Sequence, residues 1–464
     1  MQTTQLKKVL VANRGEIAVR IFRACYDLGL HTVAIYSNED TYSLFRTKAD
    51  EAYLVGEKKS PLGAYLDIPG IISLARRRGV TAIHPGYGFL SENADFARAC
   101  EENGILFVGP SSEVLAQMGD KLSAKEIAVR CGVPIIPGCT EPLKDADDAL
   151  EKAVSFGFPV ILKAAAGGGG RGMRRCDRPE EVRTAYELVH SEAEKAFGDG
   201  RVYMEKFLSP VKHIEVQLLA DEQGHVVCLG ERECSIQKNN QKLIEETPSS
   251  AISPALRQEM MDAAAGAAKA AGYLGAGTVE FLLDGDGRFY FIEMNTRLQV
   301  EHPVTEFVTG VDIVKWQIRI AAGLPLSVKQ EEVHLHGHAI ECRINAEDPV
   351  ADFRPGAGTV SFLHLPGGCG VRVDSALYTG CTLSPFYDSM IAKVIVHAPT
   401  RLEAIRRMRR ALEELVVEGV ATNAELAHLI LYHPDYIKGA YDTGFIGQHL
   451  DELLKWSAAG KENP

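Results

Sequence analysis

Five polar side chains alternate along the segment that follows an apolar run at residues 289–292. They are Glu293, Asn295, Arg297, Gln299 and Glu301. Because side chains alternate across a strand, the five point to one side for as long as the chain stays extended. The apolar run is typical of a strand buried on both faces, where an unpaired charge is costly. The pattern therefore predicts a functional site at depth, and the alternative is a sheet edge that emerges into solvent.

A further acid, Glu280, lies in a second apolar run, and a glycine-rich turn separates the two runs. A four-residue hairpin loop would place Asp284 opposite Phe289 and therefore Glu280 opposite Glu293. Directly opposed side chains lie about 5 Å apart at Cβ, where two carboxylates repel each other. A divalent cation relieves this repulsion, and oxygen ligands suit Mg²⁺ beside nucleotide phosphates. The hairpin predicts a metal–nucleotide centre, and a one-residue bulge would change its register.

A run of glycines at residues 167–172 follows an apolar strand that contains Lys163. It lacks the Gly-Lys-Ser/Thr ending of a Walker A loop. Successive glycine N–H groups can hold phosphate oxygens, and such a loop can close as a lid, although many glycine runs are linkers. Lys121, Lys163 and Lys242 together could hold a polyphosphate. These features predict a mobile phosphate-covering loop.

The bulk properties exclude several classes of protein. The 464 residues allow two or three domains, and the formal charge of −12 provides no electrostatic footprint for nucleic acid. No apolar stretch reaches the ~18 residues of a spanning helix, so we expect no membrane contact. The chain shows no secretory segment, no Cys-x-x-Cys and no zinc-type His/Cys spacing. We therefore expect a reducing cytoplasm.

The elements that must position these residues follow a recurring order. In the first part of the chain, a helix that ends at glycine is repeatedly followed by a β-rich run, as at Gly29 and Gly79. This order predicts a doubly wound parallel sheet over about the first 115 residues. The first strand and turn lack Gly-x-Gly-x-x-Gly, so a dinucleotide site is not predicted. Residues 83–93 form either a ligand-binding strand end or a plain tight turn.

The rest of the chain divides into a small unit, a central region and a region of short strands. The small unit covers about residues 134–204, and a helix at 313–322 closes the central region. The later strands are expected at 338–344, 358–363, 371–374 and 390–396, followed by a helix at 401–416 and a frayed tail at 457–464.

Six segments occur in a fixed order along the chain: residues 13–16, 84–93, 118–121, 167–173, 293–302 and 387–390. Together they resemble the biotin carboxylases, the ATP-grasp enzymes of biotin-dependent carboxylases, over residues 5–447. The resemblance implies an α/β and α+β protein. Its parts would be an N-terminal α/β domain (1–115), a central ATP-grasp domain (116–330) with a mobile lid (134–204), a C-terminal mixed α+β domain (331–447) and a tail (448–464).

The resemblance also implies roles for individual residues. ATP would contact Lys121, Lys163, Gly169, Gly170, Glu205, Lys206, Leu208, His213, Gln237 and Asn240. Mg²⁺, or Mn²⁺ in its place, would be bound by Glu280, Glu293 and Asn295. Bicarbonate would contact Lys242, Arg297, Gln299 and Val300, and biotin would contact Tyr87, Gly88 and Arg343. The catalytic residues would be Glu301, Arg343, Arg297 and Lys242, with Glu301 as the general base.

The implied reaction is the carboxylation of biotin by bicarbonate and ATP. Glu301 would remove the bicarbonate proton, and the carbonate oxygen would attack the γ-phosphorus. The carboxyphosphate would yield CO₂ and phosphate, and the phosphate would deprotonate biotin N1′. Arg343 would stabilise the biotin enolate by a charge-assisted hydrogen bond.

Two departures from the family pattern affect these expectations. Asn239 and Asn240 stand where many members have arginine and histidine, which predicts an altered affinity for ATP. The chain contains no Met-Lys-Met biotinylation site. We therefore expect biotin to arrive on a separate biotin carboxyl carrier protein. We also expect a homodimeric carboxylase that works beside a separate carboxyltransferase subunit.

Two other functions remain open at this stage. One is another ATP-grasp ligase that forms an acyl or carboxy phosphate, such as a carbamoyl-phosphate-type synthetase. The other is an ATP-binding scaffold subunit that has lost catalysis. The final acceptor of the carboxyl group, such as acetyl-CoA, pyruvate or propionyl-CoA, is also open.

Overall fold

The computed structural model describes residues 6–166 and 172–462. Gly169 and Gly170, predicted to contact ATP, lie outside the described residues. Three larger sheets organise the described part of the chain, and short two-stranded pairings accompany them.

The first sheet is parallel and has the strand order β3-β2-β1-β4-β5. Its strands are β1 (Lys8–Val11), β2 (His31–Tyr36), β3 (Glu51–Leu54), β4 (Ala82–His84) and β5 (Leu106–Phe107). The helices of this part are α1 (Gly15–Asp27), α2 (Pro61–Tyr65), α3 (Ile68–Arg77), α4 (Ala94–Glu102) and α5 (Ser112–Gly119), with 3₁₀ turns at Asn38–Asp40 and Leu44–Lys48.

Alternation along β1 explains why helices cover both faces of this sheet. Val9 and Val11 pack with α1 in one core, whereas Leu10 packs with α3 and α4 in another. A strand with apolar residues at every position must be buried on both sides. The predicted doubly wound parallel sheet is confirmed.

A small antiparallel sheet of order β7-β6-β8 follows. Its elements are α6 (Lys121–Arg130), α7 (Ala146–Phe156), β6 (Val160–Ala164), β7 (Met173–Cys176), α8 (Pro179–Phe197) and β8 (Val202–Lys206). Both strands predicted for this unit from the sequence are present, and α7 and α8 pack on the sheet in a core of their own.

The third sheet has eight strands in the order β13-β12-β9-β10-β11-β14-β21-β19. The strands of this part of the chain are β9 (Val211–Ala220), β10 (Val226–Lys238), β11 (Gln241–Thr247), β12 (Gly275–Asp284), β13 (Phe289–Asn295), β14 (His338–Asn345), β15 (Glu347–Asp348), β16 (Arg354–Pro355), β17 (Gly358–Thr359), β18 (Phe362–His364), β19 (Val371–Ser375), β20 (Thr382–Leu383), β21 (Met390–Ala398) and β22 (Val416–Glu418). The helices are α9 (Pro254–Ala270), α10 (His302–Thr309), α11 (Ile313–Ala321), α12 (Arg401–Glu414), α13 (Ala424–Ile430), α14 (Pro434–Lys438) and α15 (Phe445–Glu462), with 3₁₀ turns at Gln330–Glu332 and Pro349–Ala351.

The pairing of β11 with β14 carries this sheet across the predicted domain boundary at residue 330. The boundaries drawn from the sequence stay predictions, and the sheet shows that the central and C-terminal parts share hydrogen-bonded strands. Residues 448–462, assigned to a tail from the sequence, are helical and belong to α15. The helix is anchored because Ile446 and Leu453 are buried in the C-terminal core.

The hairpin of β12 and β13 places Glu280 directly opposite Glu293, as predicted. The turn is different from the predicted one, because Phe289 pairs with Leu283 and not with Asp284. A bulge between the turn and the two acids restores the predicted pairing. The expected loop length was wrong by one residue, and the bulge compensates for the error.

Among the described residues, no helix combines the length and the apolar character needed to cross a membrane.

Candidate active site

A row of charged residues crosses four neighbouring strands of the eight-stranded sheet. Glu280 on β12 lies opposite Glu293 on β13 and, on its other side, opposite Glu215 on β9. Glu215 in turn lies opposite Arg232 on β10. Directly opposed residues share a face of the sheet. Three carboxylates and a guanidinium are therefore aligned along one line.

Glu280 receives hydrogen bonds from three side chains at one carboxylate oxygen. Asn295 Nδ2 lies 2.9 Å from Oε1, and Gln299 Nε2 and Lys242 Nζ each lie 3.1 Å from it. His213 Nε2 lies 2.9 Å from Oε2. Although burial would raise the pKa of Glu280, the positive charge of Lys242 and the contact with His213 hold it well below its ordinary value.

Glu293 has a different environment from Glu280. Among the described residues its nearest cation is Lys121, with 3.7 Å between Nζ and Oε2, and 28% of its side chain is exposed. Burial raises the pKa of Glu293, and the charge of Glu280 adds to this effect against the opposing effect of Lys121. We call Glu280 and Glu293 the acid pair. Its excess negative charge and oxygen ligands fit a hard divalent cation.

Lys242 on β11 connects the row to the residues beyond it. Its ammonium group lies 2.7 Å from Glu215 Oε2 and 2.6 Å from Glu301 Oε1, in addition to its contact with Glu280. Although burial would lower the pKa of Lys242, the three carboxylates raise it well above its ordinary value. The lysine is therefore a permanent positive charge between the acid pair and Glu301.

Glu301 lies at the start of α10, is fully buried and contacts a second cation. Arg343 Nη2 lies 3.0 Å from Glu301 Oε2, and Arg343 Nε lies 2.5 Å from Glu245 Oε1. Burial raises the pKa of Glu245 to about 7 against the effect of Arg343. The pKa of Glu301 is lowered, because Lys242 and Arg343 outweigh the effect of burial. We call the five residues that surround this point the inner cluster: Glu215, Lys242, Glu245, Glu301 and Arg343.

Arg297 connects the site to the loop that follows β4 of the parallel sheet. Its Nε donates to Glu92 Oε2 at 2.9 Å, and its Nη atoms donate to Asn295 at 3.0 Å and Gln299 at 2.9 Å. The alternating polar residues do not form one continuous strand, because β13 ends at Asn295. They still converge, because Asn295 and Gln299 each contact both Arg297 and Glu280.

The residues predicted to contact ATP lie partly beside the acid pair and partly in the small sheet. His213 accepts a hydrogen bond from Gln237 at 3.0 Å, which joins Gln237 to the Glu280 network. Lys163 Nζ lies 2.6 Å from Glu205 Oε2. Lys206 turns its ammonium group to the carbonyl oxygens of residues 157 and 158. The Lys206 side chain is therefore hydrogen bonded within the small unit. Leu208, two residues later, is half-buried.

Asn239 and Asn240 form the tight turn between β10 and β11. Their φ angles are 52° and 64°, and the flanking Lys238 and Gln241 are paired. Two central residues with positive φ are characteristic of a type I′ turn, for which asparagine is favoured over arginine or histidine. The departure from the family pattern therefore suits the backbone, and Asn240 is exposed at the tip.

Tyr87 and Gly88, predicted to contact biotin, lie beside a buried cation that the sequence did not reveal. The Tyr87 hydroxyl donates to Glu16, and Lys393 Nζ lies 3.3 Å from the same carboxylate. Lys393 also donates to the carbonyl oxygen of Val300 at 2.9 Å. The fully buried Lys393 thus joins the Tyr87 side of the site to the segment that carries Glu301. Gly88 has open space beside its Cα.

Sequence reasoning missed several residues of the site: Glu16, Glu92, Glu215, Arg232, Glu245 and Lys393. A signal was present for Glu215, because His213, Glu215 and Gln217 alternate with apolar residues from residue 213 to residue 218. This is the same pattern that identified Glu293 and Asn295. The remaining residues lie far apart in sequence, and their proximity depends on the pairing of strands.

Comparison with known proteins adds a separate line of evidence. The model of the biotin carboxylase N-terminal domain matches residues 5–115, and that of the biotin carboxylase C-terminal domain matches residues 341–448. Between them, residues 120–329 match the ATP binding domain of the carbamoyl-phosphate synthase L chain.

The chain belongs to the biotin carboxylase family. It is 51% identical to biotin carboxylase 1 of Bacillus subtilis over 95% of this chain and 98% of that protein. It is 52% identical to the biotin carboxylase of Pseudomonas aeruginosa over 96% of this chain and 99% of that protein. The two flanking domain matches favour this family over another ATP-grasp ligase.

The fold agrees with that of a solved relative. The crystal structure of the biotin carboxylase domain dimer of Hydrogenobacter thermophilus 2-oxoglutarate carboxylase superposes with a TM-score of 0.95 at 50% identity. The match covers 97% of this chain and 99% of that chain, which confirms the three-part architecture expected of a biotin carboxylase.

Proposed function

We propose that this chain carboxylates biotin at N1′ with bicarbonate and ATP, as the biotin carboxylase of a multisubunit carboxylase. The observation that carries the proposal is the buried carboxylate of Glu301, which lies 2.6 Å from Lys242 and 3.0 Å from Arg343. A proton acceptor between two permanent cations suits an anionic substrate that must lose a proton. The relative from Hydrogenobacter thermophilus was solved with MgADP and bicarbonate.

The acid pair fits a divalent cation, with Glu280, Glu293 and Asn295 as the residues that would hold it. When bound, Mg²⁺ or Mn²⁺ would neutralise charge on the ATP phosphates. Lys121 and Lys163 contribute further positive charge on the nucleotide side. We assign contact with ATP to the other predicted residues as well, including Gly169 and Gly170.

Glu301 acts as the base only when its own pKa rises. Without substrate its pKa is low, because Lys242 and Arg343 both stabilise the carboxylate. A bicarbonate anion bound by Lys242, Arg297, Gln299 and Val300 partly neutralises Lys242, which then stabilises the Glu301 carboxylate less. The affinity of Glu301 for a proton then increases at the moment when the bicarbonate proton must leave.

Arg343 stabilises the biotin enolate once the substrate has entered. Its guanidinium remains ionised, because Glu245 and Glu301 raise its pKa further above its ordinary value against the effect of burial. A fixed cation beside a developing oxyanion stabilises the transition state. Tyr87 and Gly88 would then border the biotin ring.

The partners and the cellular setting extend the same proposal. We infer a biotin carboxyl carrier protein that brings biotin, a carboxyltransferase subunit that removes the carboxyl group, and a homodimer of this chain. All ten cysteines are free thiols, which suits the reducing cytoplasm proposed as its location.

The test is ADP release by the purified protein with Mg-ATP and bicarbonate, with and without free biotin. Glu301→Gln and Arg343→Ala run beside the unchanged protein. We expect biotin to stimulate turnover, and both variants to lower it by about 10²–10⁴-fold. ATP hydrolysis that is indifferent to biotin contradicts the proposal in favour of another ligase. Binding of Mg-ATP without turnover, also when the carrier is supplied, favours a scaffold.

A further inference from the structure

Two histidines and two acids converge where α14 meets α15, at a distance along the chain from every active-site residue. His433 precedes α14 and is 4% exposed, and Asp435 lies in the first turn of α14. His449 and Glu452 lie three residues apart on α15 and therefore share one face of that helix. The Glu452 side chain is half exposed, so the cluster is open to solvent on one side.

The two imidazole rings face each other between the two carboxylates. Their centroids are 4.2 Å apart and their planes are tilted by 51°. Glu452 Oε2 lies 3.8 Å from His433 Nε2 and 3.7 Å from His449 Nδ1. Asp435 Oδ2 lies 3.9 Å from His433 Nδ1 and 3.8 Å from His449 Nε2. These separations exceed the length of a hydrogen bond, so the four groups converge without closing on one another.

We propose that His433 Nε2, His449 Nδ1 and a carboxylate oxygen of Glu452 bind a divalent transition-metal ion of the zinc type. The three ligand atoms lie within 4.8 Å of one another. Bonds of about 2.0–2.2 Å in a tetrahedral arrangement separate ligand atoms by about 3.4 Å, so the contacts of Glu452 with the two histidines need to shorten by only a few tenths of an ångström. Water completes the coordination from the exposed side.

The charge and the donor types select the class of ion. Two neutral imidazoles and two carboxylates carry a charge of −2, which a divalent ion neutralises. Imidazole nitrogen suits Zn²⁺, Ni²⁺ or Co²⁺, whereas Mg²⁺ prefers oxygen ligands alone. At the acid pair, Glu280, Glu293 and Asn295 present oxygen ligands, and the neighbouring His213 is hydrogen bonded to both Glu280 and Gln237. The two sites therefore prefer different metals.

Asp435 supports both histidines when the ion binds. His449 Nε2 carries a proton when Nδ1 binds metal, and it donates that proton to the Asp435 carboxylate. His433 Nδ1 now accepts a 3.2 Å hydrogen bond from the backbone N–H of Asp435. Binding of metal at Nε2 moves the remaining proton to Nδ1, which then donates to the Asp435 carboxylate instead. The ion thereby ties α15 to α14.

Trp456 provides a local probe of the site. Its indole stacks on the His433 ring with a centroid distance of 5.8 Å and a tilt of 25°. The chain has two tryptophans, so a Trp316→Phe background leaves Trp456 as the only one. The metal-stripped full-length protein is titrated with Ni²⁺ by fluorescence and with Zn²⁺ by calorimetry. Excess Mg²⁺ is present throughout to occupy the acid pair.

We expect one saturable site per chain, with quenching of Trp456 by Ni²⁺ and displacement of Ni²⁺ by Zn²⁺. His449→Gln and Glu452→Gln each remove a ligand and weaken binding by about 100-fold or more, and Asp435→Asn weakens it by about tenfold. These residues are outside the active site, so biotin-stimulated ADP release stays unchanged. His433 itself is left intact, because it also caps α14.

The matched control is His336→Gln, which removes one member of another neighbouring histidine pair. It leaves the Ni²⁺ affinity unchanged if the ion binds where we propose. Absence of saturable binding below ~1 mM overturns the proposal. Binding that survives both His449→Gln and Glu452→Gln also overturns it.

Discussion

The acid pair and the inner cluster lie next to each other on the same sheet, but their charges are balanced in different ways. In the inner cluster, three buried carboxylates alternate with Lys242 and Arg343 at 2.5–3.0 Å. In the acid pair, Glu293 has only a distant cation, Lys121 at 3.7 Å, within the described part of the chain. With Arg232 2.5 Å from Glu215, the inner cluster is neutralised by the fold, whereas the acid pair keeps negative charge.

The difference shows which charges are balanced by other residues of the fold and which are left for a bound ligand to balance. Breaking a buried, balanced network leaves an uncompensated charge, which costs stability as well as function. Removing one of two repelling carboxylates relieves strain but removes a cation ligand. The comparison therefore predicts that stability and activity change together in the inner cluster and separately in the acid pair.

Lys242→Met should have the largest effect, because it leaves Glu215, Glu280 and Glu301 without their shared cation. We expect activity to fall by about 10³-fold and the free energy of unfolding to fall by about 3–5 kcal/mol. Denaturant titration and biotin-stimulated ADP release measure the two effects. Lys238→Met, four residues earlier in the same hairpin, is the control and should retain near-normal activity. If activity falls while the free energy of unfolding stays the same, the expectation that stability and activity change together in the inner cluster is wrong.

Glu293→Gln should affect metal dependence without destabilising the fold. We expect the Mg²⁺ concentration for half-maximal activity to rise by at least about tenfold, because the variant loses a ligand carboxylate. The unfolding midpoint should remain the same or rise, since repulsion from Glu280 is removed. Activity assays at fixed ATP and varied Mg²⁺ test the first point. An unfolding midpoint that falls as far as that of Lys242→Met contradicts the expected stability of this variant.

Two directly opposed acids on β11 and β14 allow a sharper test within one region. Glu245 binds Arg343, whereas Glu341 opposite it is fully buried and burial raises its pKa well above the ordinary value. Glu341→Gln keeps the shape of a side chain whose charged form burial disfavours, and it should change activity by less than about twofold. Glu245→Gln should lower kcat/KM for biotin by about tenfold, because Arg343 loses a charged hydrogen bond.

The pH dependence separates these two variants further. The pKa of Glu245 is about 7, so the carboxylate takes up a proton as the pH falls through 7. At constant bicarbonate concentration, kcat/KM for biotin should therefore decline below pH 7 in the unchanged protein. Glu245→Gln should lack this decline, and Glu341→Gln should retain it. A decline that persists in Glu245→Gln assigns the titration to another group.

Asn240→His should have a small effect, because the side chain lies exposed at the tip of the hairpin. We expect the KM for ATP to change by about two- to tenfold, as for the gain of one hydrogen bond. The unfolding midpoint should fall slightly, since histidine is less suited than asparagine to the positive φ of this turn. Asn239→Gly, which keeps the turn and adds no donor, is the control and should leave the KM for ATP unchanged.

The hairpin of β12 and β13 illustrates how far sequence reasoning reached. The opposed pair Glu280 and Glu293 was predicted correctly, but only because a bulge between Glu280 and Phe281 offset an error of one residue in the expected turn. The bulge itself could not be predicted, because a bulge is a compromise between neighbouring strands and has no local sequence signature here. The role of each site residue remains a prediction that the variants above test.

The amino-acid sequence by itself determined the alternating polar row, the parallel sheet of the first 115 residues and the ordered segments that indicate the family. These are local properties, set by side-chain periodicity, glycine positions and spacing. Only the tertiary structure decided that Lys393, Glu245 and Glu92 surround residues from distant segments. Pairing of β11 with β14 and of β14 with β21 brings Glu245 and Lys393 beside Arg343, and the loop after β4 brings Glu92 to Arg297. Long-range strand pairing leaves no periodic pattern in a single sequence, so only the folded structure revealed the balance of charge at the site.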